Sequence, residues 1–293
     1  MKPATLYHWQ HALDKWILPN LGDKLLLDIG NGSLRQLIDT MFAANLKPKS
    51  IVSHATILKL VVASAVNDEG NEIYPRIWNH DFVQMPIVDK EKQSRPTITK
   101  EELTAVLQNA KAHHRVLFAL LAGAGLRIGE ALALRVSDFE TDCRVLNVRR
   151  SIWRGIIQDP KTTNAIRVID IAEPLAKVLR EYVADKSGYL FPSRNGMPLG
   201  QRHLLTALHT TYHQGGFHVF RRFRAAVLRK AGVPEDLIGL WLGHARSLTD
   251  LYASQLRDDV VYRQEWCERA GLGFEIGYLG YKKVVQIDAA RVA

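Results

Sequence analysis

Cysteine is scarce, with only Cys143 and Cys267 in 293 residues. The pair fits no CxxC metal or redox spacing and is too small for a disulfide scaffold, which excludes a stapled secreted fold and suits a reducing cytoplasm. Long apolar runs are missing too. The most apolar stretches, Leu58 to Val66 and Leu117 to Leu126, fall short of the roughly 20 residues of a membrane-spanning helix, and the start Met1-Lys2-Pro3-Ala4-Thr5-Leu6-Tyr7-His8 lacks the apolar core of a signal peptide. A cytoplasmic protein without a membrane partner is expected. Acidic residues are in deficit, 30 against 39 Lys plus Arg, for a formal charge of +9. That imbalance favours a polyanionic partner, nucleic acid first and a membrane surface second. His209 and His213 stand four apart on an expected helix, but the Glu of HExxH is absent, so they are read as surface or core histidines rather than zinc ligands.

What is present is an ordinary globular balance, 47% hydrophobic and 24% charged. From Thr5 to about Trp78 the patterning is helical, with stretches at His8 to Leu18, Leu34 to Asn45 and Ser50 to Asn67. The sequence MPIVDKEKQSRP, Met85 to Pro96, is polar and bracketed by prolines, as an exposed linker would be. Thr99-Lys100-Glu101-Glu102 then has the form of a capping box, so a second domain opens near residue 97. Helical stretches follow at Glu101 to Lys111, His114 to Ala122 and Gly129 to Leu134. Val145 to Val148, Ser151 to Ile157 and Ile166 to Ile171 are short and rich in Val and Ile, predicting a small antiparallel meander. Helices resume at Pro174 to Asp185, Arg202 to His213, Phe217 to Ala231 and Pro234 to Leu242, the last two ending at Gly232 and Gly243. The expected fold is mainly α with a small antiparallel β-sheet. Its domains are a helical one over 1–85, a linker over 86–96, a mixed domain over 97–265 and an unassigned tail over 266–293.

Three patches each offer a cation or imidazole where the chain turns or caps. In Gly125-Leu126-Arg127-Ile128-Gly129-Glu130, an arginine enters a helix whose amino-terminal amides favour an anion, and Glu130 is expected to pair with a neighbouring cation. In His218-Val219-Phe220-Arg221, two side chains three apart can address one oxyanion, with Phe220, Phe223 and Val227 marking the buried face. The five cations Arg221, Arg222, Arg224, Arg229 and Lys230 are expected to combine phosphate contacts with solvation. The third patch is Leu242-Gly243-His244, with Tyr252 following.

Taken in order, these residues resemble the motif set of the tyrosine site-specific recombinases of the phage integrase type. The resemblance spans residues 97 to 265. It implies that Arg127 is the first-box arginine, that His218 and Arg221 form HxxR, that His244 belongs to LGH, and that Tyr252 is the nucleophile. Lys161, in the turn Asp159-Pro160-Lys161-Thr162, resembles the family's hairpin lysine, with Lys177 and Lys186 as alternatives, and Tyr262 is the alternative to Tyr252. Residues 1–85 resemble the family's core-type DNA-binding domain. By the same resemblance, double-stranded DNA is the partner, the protein acts as a homo-tetramer on paired sites, and strands are cut and rejoined through a 3′-phosphotyrosyl intermediate.

The chemistry has a physical logic. Transfer of a phosphodiester to a tyrosine puts extra negative charge on the nonbridging oxygens, and two arginines can hold it without titrating. A hydroxyl with a pKa near 10 needs its proton removed or the phosphate activated. The bond energy stays in the phosphotyrosine, so no nucleotide cofactor is needed, and no metal is expected. Two departures mark this chain. His244 and Tyr252 lie eight positions apart, one fewer than usual in the family, and the chain begins almost directly in the core-type part, without a preceding arm-binding domain. The shortened spacing leaves a non-cleaving, sequence-specific DNA-binding protein as one alternative, and a type IB topoisomerase-like activity is the other.

Overall fold

The computed structural model describes residues 1–89, 91, 93–158, 166–244 and 258–277. The chain divides into two compact units, Met1–Ser94 and Arg95–Ala293. In the first unit, α1 (Pro3–Ala12) runs through a π-helical turn, Leu13–Ile17, into the short α2 (Leu18–Leu21). Helices α3 (Asn31–Ala43) and α4 (Pro48–Ala63) pack together. Pro3 and Pro48 open their helices at the position where a missing N–H costs nothing. Leu34, Leu37, Ile38 and Met41 recur at helical spacing and are fully buried against Ile51, Ala55 and Leu58. The helix expected to reach Asn67 stops at Ala63. Beyond it the Asn67 side-chain oxygen accepts from the Glu69 and Asn71 amides, a local turn that competes with helix.

In the second unit the capping box forms as the sequence predicts. The Glu102 amide donates to Thr99 Oγ1 at 3.1 Å and the Thr99 amide to Glu102 Oε2 at 2.8 Å, opening α5 (Lys100–Asn109). The central element is α6 (Ala112–Ala124), buried on every side from Val116 onward. Around it pack α5, α7 (Ile128–Ala133), α8 (Glu173–Val183) and α10 (His218–Lys230). Helix α9 (Gln201–His209) precedes α10, and α11 (Glu235–Leu242) and α12 (Val260–Ala270) both pack on strand β4 (Arg167–Asp170).

The sheet differs from a three-stranded meander. β1 (Val145–Val148) pairs antiparallel with β4, placing Val148 opposite Arg167. Ser151 to Ile157 is not one strand but a hairpin, β2 (Ser151–Trp153) against β3 (Ile156–Gln158). Arg154 and Gly155 both take positive φ, 48° and 80°, which is the two-residue turn that matches the twist of a hairpin. Gly155 was the sequence signal for it. Among the described residues the result is two separate two-stranded ladders.

Candidate active site

The end of α11 organises the site. Gly243 adopts φ 61°, ψ 52°, the left-handed conformation that closes a helix and leaves its last carbonyls pointing outward. Three consecutive carbonyls there each receive a different arginine. Arg167 Nε donates to the Trp241 carbonyl at 2.8 Å, Arg221 Nη2 to that of Leu242, and Arg127 Nη2 to that of Gly243 at 3.5 Å. The partial negative charge at a helix carboxyl end suits cations, so the three guanidinium groups gather where they would otherwise repel. Arg221 is further fixed by Nη1 donating to the Gly125 carbonyl at 3.0 Å. Gly125 allows this close approach: with φ at 67°, an added Cβ would stand 2.6 Å from Leu242 Cδ2.

Glu130 ties the group together. Its Oε2 accepts from the Arg127 amide at 2.9 Å and its Oε1 from Arg127 Nη1 at 2.8 Å. Arg167 grips both oxygens, Nη1 to Oε1 at 3.1 Å and Nη2 to Oε2 at 2.9 Å. Burial alone would raise the Glu130 carboxyl, but the hydrogen bonds and charges of Arg167 and Arg127 outweigh it and hold the group below its ordinary value. The expected role of Glu130 as a cation partner is met, and the amide at the start of α7 is taken by this internal carboxylate. Arg167 was missed in the sequence. It sits in a strand of alternating Val and Ile, and only the fold shows that its side chain is buried, at 1% exposure.

The structure brings Arg127, His218, Arg221 and His244 into one neighbourhood. Arg127 and His218 share the wall of a cavity of about 380 Å³, with Leu126, Leu205 and Phe217 as apolar sides and Gln201 beside them. Arg127 is open to solvent, whereas Arg221 is buried. Burial, and then the charges of Arg127 and Arg167, pull Arg221 down to about 9, which leaves it charged at neutral pH. His218 and His244 each present an edge to solvent. Both are lowered by partial burial first, then by arginines: Arg222, Arg221 and Arg127 for His218, and Arg221 and Arg127 foremost for His244. Two imidazoles with lowered pKa beside an exposed and a buried guanidinium group make a neighbourhood suited to an oxyanion. Lys161 and Tyr252 lie outside the described residues. Lys177 is on α8, Lys186 donates to the Tyr182 carbonyl at 2.6 Å, and Tyr262 is on α12.

Of the five cations of α10 expected to combine phosphate contacts with solvation, only Arg229 and Lys230 are exposed. Arg221 and Arg224 are buried, Arg222 Nη1 donates to the Pro96 carbonyl at 2.7 Å, and Arg229 pairs with Glu235 at 2.9 Å. An amphipathic count places Arg224 on the polar side, yet its long stem lets the head reach the Gly271 carbonyl inside the fold. His209 Nε2 lies 3.2 Å from the Gly215 carbonyl, and His213 falls beyond the end of α9. Among the described residues no group of three or more His, Cys, Asp or Glu could hold a metal ion, and no helix is long and apolar enough to cross a membrane.

Comparison with known proteins bears on the family and the fold. A tyrosine recombinase XerC-like protein of Caldanaerobacter subterraneus subsp. tengcongensis is 29% identical over 184 residues, 51% of this chain and 47% of that protein. An integrase of Mycobacterium phage D29 is 26% identical over 196 residues, 60% of this chain and 52% of its own length. The chain thus spans about half the length of these curated relatives. Among solved structures, the Tn1549 transposon integrase in complex with a circular intermediate DNA matches with a TM-score of 0.69 and 17% identity, covering 88% of this chain and 94% of that one. A lambda integrase dimer bound to a COC′ core site matches with a TM-score of 0.61 and 19% identity, over 89% and 90% of the two chains. At such identities the structural likeness speaks for the fold. The description "Phage integrase family" matches residues 96–257, a span that opens just before the capped helix α5 and includes Arg127, His218, Arg221, His244 and Tyr252, so the chain belongs to the phage integrase family of tyrosine recombinases.

Proposed function

We propose that this protein is a site-specific DNA recombinase that cuts and rejoins strands through a 3′-phosphotyrosyl intermediate, with no metal and no nucleotide cofactor. The observation that carries the reading is the convergence of Arg127, His218, Arg221 and His244, from three separated stretches, around one helix end. Arg127, open to solvent, and Arg221, locked beneath it, are the clamp on the nonbridging oxygens of the scissile phosphate. Fixed cations of this kind cost no reorganisation as charge builds in the transition state.

Tyr252 Oη attacks phosphorus, the bond from phosphorus to the 5′ oxygen breaks, and a tyrosyl ester to the 3′ phosphate forms. His218, held neutral by burial and by its arginine neighbours, accepts the tyrosine proton. His244 donates a hydrogen bond to a nonbridging oxygen, and Lys161 protonates the departing 5′ oxygen. Attack by a 5′ hydroxyl on the ester reverses these steps and reseals the strand, so no external energy source is consumed. Residues 1–85 act as the core-type DNA-binding domain and 97–265 as the catalytic domain, on double-stranded DNA and as a homo-tetramer on paired sites. The net charge of +9 agrees with such a partner.

The test is a nicked suicide duplex spanning the DNA that flanks the protein's own gene, incubated without metal or nucleotide. A denaturation-resistant adduct of protein and DNA is expected for the wild type and none for Tyr252→Phe, with DNA affinity unchanged between them. Binding with no adduct from the wild type would overturn the proposal.

A further inference from the structure

One carboxylate away from the phosphate-facing group binds both of the described elements that flank Tyr252 in the chain. Asp170, the last residue of β4, is buried. Its Oδ2 accepts from Trp241 Nε1 at 2.8 Å and from Arg263 Nε at 2.9 Å. Its backbone carbonyl accepts from the Cys267 thiol at 3.2 Å. Trp241 lies in the last turn of α11, and its own carbonyl opens the row that holds Arg167, Arg221 and Arg127. Arg263 lies in the first turn of α12. Trp241 precedes Tyr252 by 252 minus 241, or eleven positions, and Arg263 follows it by 263 minus 252, also eleven.

We propose that Asp170 is a positioning residue for strand transfer: a single carboxylate fixes the helix end that orients the arginine clamp and the helix that resumes after the nucleophile. The proposal rests on the function proposed above. A carboxylate suits this double duty. Oδ2 accepts from Trp241 Nε1 and Arg263 Nε, Oδ1 faces Arg263 Nη2 at 3.5 Å, and the charge compensates a guanidinium only 7% exposed. An amide keeps one oxygen for the shared position but loses the charge and turns its N–H groups towards Arg263 Nη2. Because Asp170 and Arg167 lie on the same short strand, both ties on Trp241, to its indole and to its carbonyl, come from β4. A shift of β4 therefore moves the clamp and the base of α12 together.

The experiment uses the full chain and the same nicked duplex, with Asp170→Asn and the milder Trp241→Phe, and records the single-turnover rate of adduct formation separately from its amplitude. A misplacement of about 1 Å costs on the order of a hundredfold in rate. The expected result is a rate lowered by about ten- to a hundredfold for Asp170→Asn. Trp241→Phe shifts in the same direction, amplitude and DNA affinity stay at wild-type levels, and the double variant is no slower than Asp170→Asn alone, since both act through one contact. Wild-type rates in both variants, or a loss confined to amplitude, overturn the proposal, because a fold that is merely less stable lowers the active fraction and not the rate. Amide hydrogen exchange separates this outcome from failure of the functional reading. Should the wild type itself give no adduct, faster exchange in Asp170→Asn over both 237–244 and 260–270 sustains the double anchoring, and unchanged exchange in either stretch refutes it.

Discussion

Replacing Arg167 by methionine tests the architecture of the site most directly. The guanidinium group is 1% exposed, and among the described residues it bonds twice to the Glu130 carboxylate, at 3.1 and 2.9 Å, and once to the Trp241 carbonyl at 2.8 Å. Methionine fills much of the stem's volume but leaves Glu130, itself 5% exposed at its side chain, with Arg127 as its one cation among the described residues. Removing one member of a buried ion pair costs roughly 3–5 kcal/mol, because the other charge stays out of water without compensation. For a unit of this size that corresponds to a fall of about 6–20 °C in Tm. Thermal unfolding followed by circular dichroism reads the shift, and a Glu130→Gln, Arg167→Met double variant completes the cycle. The pair should cost much less than the sum of the single changes, since neutralising both partners removes the stranded charge. A single-variant loss below about 1 kcal/mol, or singles that add within about 0.5 kcal/mol, would refute the reasoning.

The two clamp arginines should separate by burial. Arg127→Ala is expected to lower the adduct rate by about 10² to 10³ with little change in Tm, because its side chain is open to solvent. Arg221→Ala should lower the rate as much and also destabilise the fold, since its two ties to the Gly125 and Leu242 carbonyls are buried; equal Tm for both variants would contradict this. The pH profile follows His218. With its pKa lowered, the imidazole is neutral at pH 7 and stays neutral somewhat below the ordinary histidine value of 6.5. The rate at limiting DNA should therefore hold as pH falls to 6.5 and drop only below it, and a half-loss above 6.5 that disappears in His218→Gln would show that the environment raises the imidazole instead.

Much of this molecule is written locally. The capping box at Thr99, the helical spacing of Leu34, Leu37, Ile38 and Met41, and each of the short motifs at Arg127, HxxR and LGH taken singly depend on neighbours within a few positions, where sequence pattern and conformation are tied by geometry. The hairpin at Arg154-Gly155 was also local, but Ser151 to Ile157 is short enough to read as one strand, and only the positive φ pair divides it. Burial of cations is of another kind. Arg167, Arg224 and Arg263 look like surface residues in the sequence, because a long charged side chain on a strand or helix usually reaches water. Each is interior here only because a carboxylate or an open carbonyl from a segment 37, 47 or 93 positions away meets it.

By itself the sequence determined the family and the mainly helical character, and it singled out Arg127, His218, Arg221 and His244 as candidates, since these rest on short motifs and on charge. Only the tertiary structure decided that three arginines share the carbonyls of one helix end, that Glu130 holds Arg127 and Arg167 while Asp170 holds Trp241 and Arg263, and that Arg127 is open and Arg221 buried. Those are contacts across tens of residues. Their energy comes from excluding water around charges that the fold alone brings together.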